Sequence, residues 1–340
     1  MSRVTAQDVA EEAGVSLATV DRVLNKRKGV RSETIEKVTS AMDRLDFVRD
    51  QTAANLARRR SYRFTFIVSA GETSFFSDIQ SEIEAAKSHV AKERVDIQML
   101  AVPPLDPQAI VNAIERLGDD IGDGLALVAV ESQAVRDSVN SLRARGVRVV
   151  TFISDIPNSQ RERFVGIDNV AAGRVAGSLL KRFIFAPSGD VALVAGSGTL
   201  RDHCERRMGF EQVMRTECQH LNVLPWIEGE EMAGVVEEKL SQLMADNSNI
   251  VGLYSLGGGT RGVIDTINSA KQKISVVTTE LSKHTRAALI SGTVDAVLVQ
   301  DPGHEVRSAV RVLRALVDDA PINEKQERIR IEIFVRDNLP

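Results

Sequence analysis

Apolar residues along this chain follow two different rules. Up to Phe47 they recur three or four positions apart: Val15, Val20, Val23 and Leu24 share one side of a helical segment, and Ile35, Val38, Ala41 or Met42, and Leu45 share one side of another. From Phe64 onward they arrive as short runs separated by amphipathic stretches. These runs are FTFIVSA, VDIQML, GLALVAV and RVVTFIS, then FVGID, DVALVAG, NVLPWI, IVGLYSL, SVVTTE and VDAVLVQ, with IRIEIFVR last. The first rule predicts short helices without strands. The second is the strand–helix alternation of doubly wound parallel sheets, and its runs divide into two lobes.

Local signals sharpen the helical region. Thr5 followed by Asp8 predicts a capping box opening a helix through Ala13, and Gly14 supplies a left-handed turn. Ser16 is placed to cap the helix carrying Leu17 to Leu24, and Ser32 to cap a third. Two helices so closely spaced read as a helix-turn-helix. Its second helix keeps a spare face, with Leu17, Ala18, Asp21 and Arg22 turned away from the apolar side. In such a motif the N-terminal residues of that helix meet base edges in the DNA major groove. Leu17 and Ala18 would face thymine methyls, and Arg22 would pair bidentately with guanine, giving roughly 1–3 kcal/mol of discrimination. On spacing alone, the alternative is a three-helix bundle docked on the main body.

Charge adds an asymmetry without deciding between these readings. The overall balance is −4, but residues 1–61 hold 12 Lys and Arg against 9 Asp and Glu, a net +3, leaving −7 for the remainder. Arg22, Lys26, Arg27, Lys28 and Arg31 fall in ten positions with no acid between them, and Arg58-Arg59-Arg60 with Arg63 closes the region. Charge split in this way suggests a small anion-binding module on a neutral-to-acidic body, with a solvated surface face as the alternative; on the first reading Lys26 to Arg31 would meet phosphates and set affinity without reading sequence.

Composition excludes several classes. With 340 residues, 43% hydrophobic and 26% charged, the chain suits a soluble protein of two or three domains. MSRVTAQDVAEE lacks the apolar run of a secretory signal, and no stretch of eighteen apolar residues could span a membrane. Cys204 and Cys218 fit neither a disulfide framework nor a metal site, and the five histidines do not pair at ligand spacing. A cytoplasmic protein without metal or cofactor is expected.

Ligands of doubly wound sheets bind beyond the carboxyl ends of the strands. Phe75, Phe76, Asp155, Thr199, Glu280 and Gln300 sit at such ends, where two lobes facing each other would share a cleft.

Val4 to Phe47 resembles the DNA-binding headpiece of the lactose/galactose-repressor family, through T-x-x-D-V-A, A-G-V-S, T-V-x-R-V-L-N and a third helix. The rest resembles that family's periplasmic-binding-protein core of type I. The resemblance implies a headpiece over 1–48, a hinge helix over 49–61 and a ligand-binding core over 62–340. In that core one lobe takes in about 62–161 and 299–325, the other about 162–298 and 326–340. It assigns DNA contacts to Thr5, Ser16, Leu17, Ala18, Thr19, Arg22, Asn25, Arg31, Asn55 and Leu56. In DQTAANLARRR, Asp50 would cap the hinge helix and Leu56 would wedge into the minor groove, beside the small Ala53 and Ala57. Asp21 departs from the family's serine, so the preferred operator is expected to differ from the common one.

The core also resembles ribose-binding and related sugar-binding proteins. By position, Phe75 or Phe76 would stack on a sugar ring, Asp155 would accept from hydroxyls, and Arg206 would reach the ring oxygens. Glu280 stands where an aspartate is usual, Gln300 lies at a crossover between lobes, and Arg161 is a further candidate. YSLGGGTRG stands where many relatives have Asn-Asp, so a hydroxyl contact is lost or passes to backbone or Ser255. A monosaccharide, a polyol or a sugar acid is the expected effector.

The same glycines open a rival reading. Gly257-x-Gly259-x-x-Gly262 has the form of a dinucleotide fingerprint, with Glu280 beyond it, and would make the chain an NAD-dependent oxidoreductase. It lies late in the chain, and no general acid–base pair accompanies it. A transport binding protein would share the core but lack the headpiece. The expectation is therefore a non-enzymatic transcription regulator, a repressor in the commoner case. It would form a homodimer, or a tetramer, on a near-palindromic double-stranded operator, with no membrane partner.

Overall fold

The computed structural model describes residues 4–24, 29–47, 60–71, 74–270 and 272–340, and it divides into two compact units, Met1–Arg60 and Ser61–Pro340. In the first unit, helices α1 (Ala6–Ala13), α2 (Leu17–Leu24) and α3 (Ser32–Arg44) pack around Val9, Ala10, Val20, Val38 and Ala41. The capping box forms: Asp8 N donates to Thr5 Oγ1 at 3.3 Å, and Thr5 N donates to the Asp8 carboxylate at 2.7 Å. Gly14 closes α1 with φ 63°, a left-handed cap that suits glycine. Ser16 caps α2 by accepting from Thr19 N at 3.2 Å. Two expectations are corrected. Arg31, not Ser32, occupies the cap of α3, and Ser32 is already inside the helix. Ile35, placed on the buried stripe, is 42% exposed, because the core is complete with Val38 and Ala41.

In the second unit, β1 (Tyr62–Ser69), α4 (Ser74–Val90), β2 (Val95–Val102), α5 (Pro107–Leu117), β3 (Gly124–Leu127), α6 (Gln133–Ala144), β4 (Arg148–Phe152) and β5 (Arg163–Val165) build a first lobe. Its parallel sheet runs β2-β1-β3-β4-β5. Strand β1 is apolar on both faces because helices cover both. Phe64, Phe66 and Val68 pack on one side, and Ile67 joins Leu125 and Leu127 on the other.

The second lobe follows with α7 (Asn169–Phe183), β6 (Gly189–Ala195), α8 (Arg201–Glu217), β7 (Leu221–Val223), β8 (Ile227–Glu228), α9 (Ala233–Asp246), β9 (Ile250–Ser255), α10 (Thr260–Ser269), β10 (Ser275–Thr279), α11 (Lys283–Ser291) and β11 (Ala296–Val299). The chain then returns as α12 (Pro302–Val317), which packs on α4 and the first sheet, and ends with β12 (Glu332–Phe334) antiparallel to β11. The second sheet runs β12-β11-β10-β9-β6-β7, with β8 also beside β6.

FVGID was expected to open the second lobe, but β5 pairs with β4 and closes the first, so the crossing lies after Val165. NVLPWI was expected as one strand and is two, because Pro225 has no backbone N–H to give the ladder. The lobes touch where Glu131 N donates to Thr199 O at 3.1 Å and where Leu200 packs into the apolar cluster of Val130 and Ile156.

Candidate effector cleft and DNA-facing helix

On α2 the burial is one-sided. Val20 is buried, whereas Ser16, Leu17, Ala18, Asp21 and Arg22 are exposed and Thr19 is partly so. Leu17 is 47% exposed, which no requirement of the helical core explains. Thr5 and Arg31 are exposed as well, although the Thr5 hydroxyl already serves the cap. Asn25, Asn55 and Leu56, with Lys26 to Lys28 and Asp50, lie outside the described residues.

In the second unit a cavity opens at the strand ends between the lobes. Phe76, Val130 and Leu105 line one side, and Leu200 and Glu231 the other. Of the two candidate aromatics, Phe76 is the one that lines this cavity. Phe75 is corrected: it is 6% exposed and packs into the first lobe's core with Ile79 and Ile83.

Arg206 is buried in the second lobe. It is 2% exposed on α8, where its Nε donates to Asn169 Oδ1 at 2.9 Å and its Nη1 to Leu256 O at 2.6 Å. Its Nη2 lies 3.5 Å from Asp202 Oδ2, one turn earlier on the same helix. The close approach of α7 and α8 makes this reach possible. A Cβ on Gly173 would fall 1.9 Å from Arg206 O, and one on Gly209 1.9 Å from Val170 O.

Glu280 stands just beyond β10 in the left-handed region, φ 71°. Burial pushes its carboxyl up to about 7; Arg206 opposes the rise, while Asp202 and Asp78 add to it. Glu231 was not anticipated. The residue is partly exposed, yet its carboxylate is enclosed against Gly196 and Gly258. Burial raises it to about 8, and Glu280 and Asp202 reinforce the rise against Arg206. Glu305 in α12 is fully buried with neither carboxyl oxygen partnered, and burial holds it well above the usual carboxylate range. His203, beside Asp202, is pushed down by burial, and its Nδ1 accepts from Gly196 N at 3.2 Å.

The remaining candidates fall differently. Gln300 is 4% exposed, with an unpartnered Oε1 at the crossover after β11. Ser255 is fully buried at the end of β9, with its hydroxyl 3.5 Å from that of Thr260. Asp155 and Arg161 do not stand free. Both oxygens of Asp155 are engaged by Arg161, and Thr151 donates to it at 2.5 Å. Burial alone would raise Asp155, but the hydrogen bonds and charge of Arg161 hold it below its ordinary value. The pair binds itself, so Asp155 is not an open acceptor.

Sequence reasoning thus missed Asp202, Asn169, Glu231, Glu305 and Asp78. The Asp202–Arg206 spacing of four was a legible signal of a shared helix face. The turn Gly257-Gly258-Gly259 is packed against protein. Cβ atoms there would meet His203 Nε2 at 2.6 Å, Glu231 Oε1 at 2.4 Å and Val236 Cγ2 at 2.5 Å. With side chains packed against all three glycines, the turn leaves no space for the close approach of a pyrophosphate, which counts against the dinucleotide reading.

Comparison with known proteins agrees with both halves. Residues 64–321 match the periplasmic binding protein domain, and residues 5–50 match the bacterial regulatory proteins of the lacI family. The chain is 25% identical over 210 residues to the HTH-type transcriptional repressor PurR of Haemophilus influenzae, covering 62% of this chain and 60% of that one. It is 29% identical over 180 residues to catabolite control protein A of Streptococcus mutans, covering 53% and 52%. The alignments thus span less than two thirds of these relatives' length. Among solved structures, GanP, a glucose-galactose binding protein from Geobacillus stearothermophilus, has a TM-score of 0.74 at 20% identity, over 83% of this chain and 99% of that one. A solute binding protein from Burkholderia graminis, in complex with D-arabinose, has a TM-score of 0.73 at 20% identity, over 82% and 96%. At these identities the likeness is one of fold.

Proposed function

Because this chain belongs to the family of periplasmic binding protein domains and carries a lacI-family region ahead of that domain, we propose that it is a DNA-binding transcription regulator whose hold on its operator is set by a small polyhydroxylated effector between the two lobes. The observation that carries the reading is the exposed face of α2. Leu17, Ala18 and Arg22 are turned to solvent on a short capped helix whose other side is buried. Leu17 and Ala18 would contact thymine methyls and Arg22 a guanine, while Thr5, Ser16, Thr19, Asn25 and Arg31 hold the phosphates. Asn55 and Leu56 would serve the minor groove.

Regulation then requires two global states with different DNA affinity, one of them favoured by effector. Phe76 gives the ring a platform, and Arg206, Glu231, Glu280 and Gln300 read its hydroxyls. Closing the lobes around it would alter a two-fold dimer and so the spacing of its two headpieces. PurR of Haemophilus influenzae is named a transcriptional repressor, and this protein is proposed to act likewise, without catalysis, in the cytoplasm. Among the described residues no helix is long and apolar enough to cross a membrane.

The deciding experiment is selection of bound duplexes from a random DNA pool, with and without a mixed sugar and polyol pool. An enriched inverted repeat whose recovery changes with the pool supports the whole reading. No enrichment under either condition would remove the DNA-binding role.

A further inference from the structure

Building on the effector-controlled reading, we propose that the effector is a deoxyhexose, a sugar whose terminal hydroxymethyl is replaced by a methyl. The methyl enters the apolar recess between the lobes, and Glu231 hydrogen-bonds a hydroxyl beside it.

The recess is walled almost wholly by hydrocarbon. Phe76, Leu105, Ile110 and Val130 come from the first lobe and Leu200 from the second, and the two lining side chains with polar atoms are Ser69 and Glu231. The Ser69 hydroxyl already accepts from Gly71 N at 3.1 Å. The volume is about 20 Å³, enough for one water or one methyl group. A water there would be short of polar partners, whereas a methyl gains van der Waals contact with the walls. A hydroxymethyl would bury its hydroxyl against hydrocarbon without a hydrogen bond, which is costly.

The first lobe's expected reader of hydroxyls is already spent. Asp155 is closed on Arg161 and Thr151, so it offers no free acceptor. What this lobe brings to the recess is hydrocarbon, and Leu105 shows it most directly. Its φ is 56°, in the left-handed region that favours glycine and asparagine. Leucine occupies the turn all the same, and its side chain packs on the apolar cluster that Leu200 joins from the second lobe.

Glu231 is the second observation that points to a ligand. It lines the recess, and among the described residues its carboxyl has neither a hydrogen-bond donor nor an ion-pair partner. Its Oε1 is packed against glycines from two other strand ends: a Cβ on Gly196 would sit 1.7 Å away, and one on Gly258 2.4 Å. Burial raises the carboxyl to about 8, so at neutral pH it keeps its proton and can both donate and accept. A neutral hydroxyl, itself donor and acceptor, matches such a group.

The test is isothermal titration of the full chain at neutral pH with matched pairs that differ only in methyl against hydroxymethyl: L-rhamnose and L-mannose, L-fucose and L-galactose, D-fucose and D-galactose, and D-quinovose and D-glucose. In at least one pair the deoxy member is expected to bind about tenfold or more tightly. Leu105→Asn, which suits the left-handed backbone and makes the wall polar, should shrink that ratio toward one. Glu231→Met keeps the size and removes the hydrogen bond, so it should weaken both members of the pair alike, by about fivefold, and leave the ratio unchanged. Melting curves check that both variants fold. Equal or tighter binding of the hydroxymethyl members wherever binding occurs, or a ratio that a folded Leu105→Asn leaves intact, overturns this inference and leaves the regulator reading standing. No binding by any member also overturns it, and the polyol-effector reading then stands or falls on the DNA selection with the mixed pool.

Discussion

Arg206 offsets the charge of several acids at once, so its removal acts on folding and on recognition together. Arg206→Ala would leave Asp202 buried without its ion-pair partner, and breaking such a pair costs about 3–5 kcal/mol. Urea unfolding should show that loss, alongside loss of effector binding by calorimetry. Arg206→Ala with unchanged stability would mean that the Arg206–Asp202 pair adds nothing to folding. The same acids predict a pH dependence for the ligand-free protein. Glu231 and Glu280 have folded-state values raised to about 8 and about 7, so between pH 4.5 and these values the folded state holds protons that the unfolded state has released. Stability should therefore be fully present below about pH 4.5 as far as these two groups are concerned, and fall as pH rises through 7 and 8. Glu231→Gln should flatten the upper part of that fall in melting curves. A stability rising across this range would refute the assignment. Arg206 and Glu280 could be singled out in the sequence as candidates because a family motif and a strand end marked them. Glu231 was not: it lies in the irregular run EGEE, and what makes it a site residue is enclosure by glycines brought from two other strand ends.

At the scale of elements, the cleft depends on how closely α7 and α8 cross. Gly173 and Gly209 let each backbone rest on the other, which carries the Arg206 side chain to Asn169 and the end of β9. Gly209→Ala would push the helices apart or distort them, an overpacking that costs roughly 1–3 kcal/mol. It should also weaken effector binding although the residue touches no ligand. Unfolding and titration of the same variant check both halves, and a stability loss with intact binding would show that Arg206 can follow its helix. Elements defined by local chemistry were readable in advance, as the Thr5–Asp8 box, the Gly14 cap and Ser16 show. Elements defined by a neighbour were not. FVGID has the same pattern whichever sheet it joins, and only its pairing with β4 assigns it to the first. Ile35 has the spacing of a core residue, but a three-helix core this small was already full.

For the whole molecule, the proposed function couples two compact units whose chemistry is different in kind. On that proposal residues 1–60 would bind a polyanion, where affinity comes largely from counterion release and falls steeply with salt. Residues 61–340 would bind a small molecule between the two lobes, where salt matters far less. Mutations in the two units should therefore separate cleanly in measurements made on each ligand alone. Arg31→Ala removes one phosphate contact, so the slope of log affinity against log salt should become shallower by about 1 for any duplex. Arg22→Ala should cost about 1–3 kcal/mol on the preferred operator and little on random DNA. Neither should alter effector affinity in DNA-free protein, because neither changes a group in the cleft. Glu280→Gln should do the reverse, changing effector affinity while leaving the salt slope as it is. Effector and operator influence each other only when both are present, and then by equal factors, since each shifts the same pair of global states. Fluorescence anisotropy on labelled operator across a salt series, with calorimetry on the same preparations, measures all of these quantities. A change in DNA-free effector affinity on Arg31→Ala would show that the two units already communicate without DNA, and the two-state coupling would then have to be placed in the protein alone.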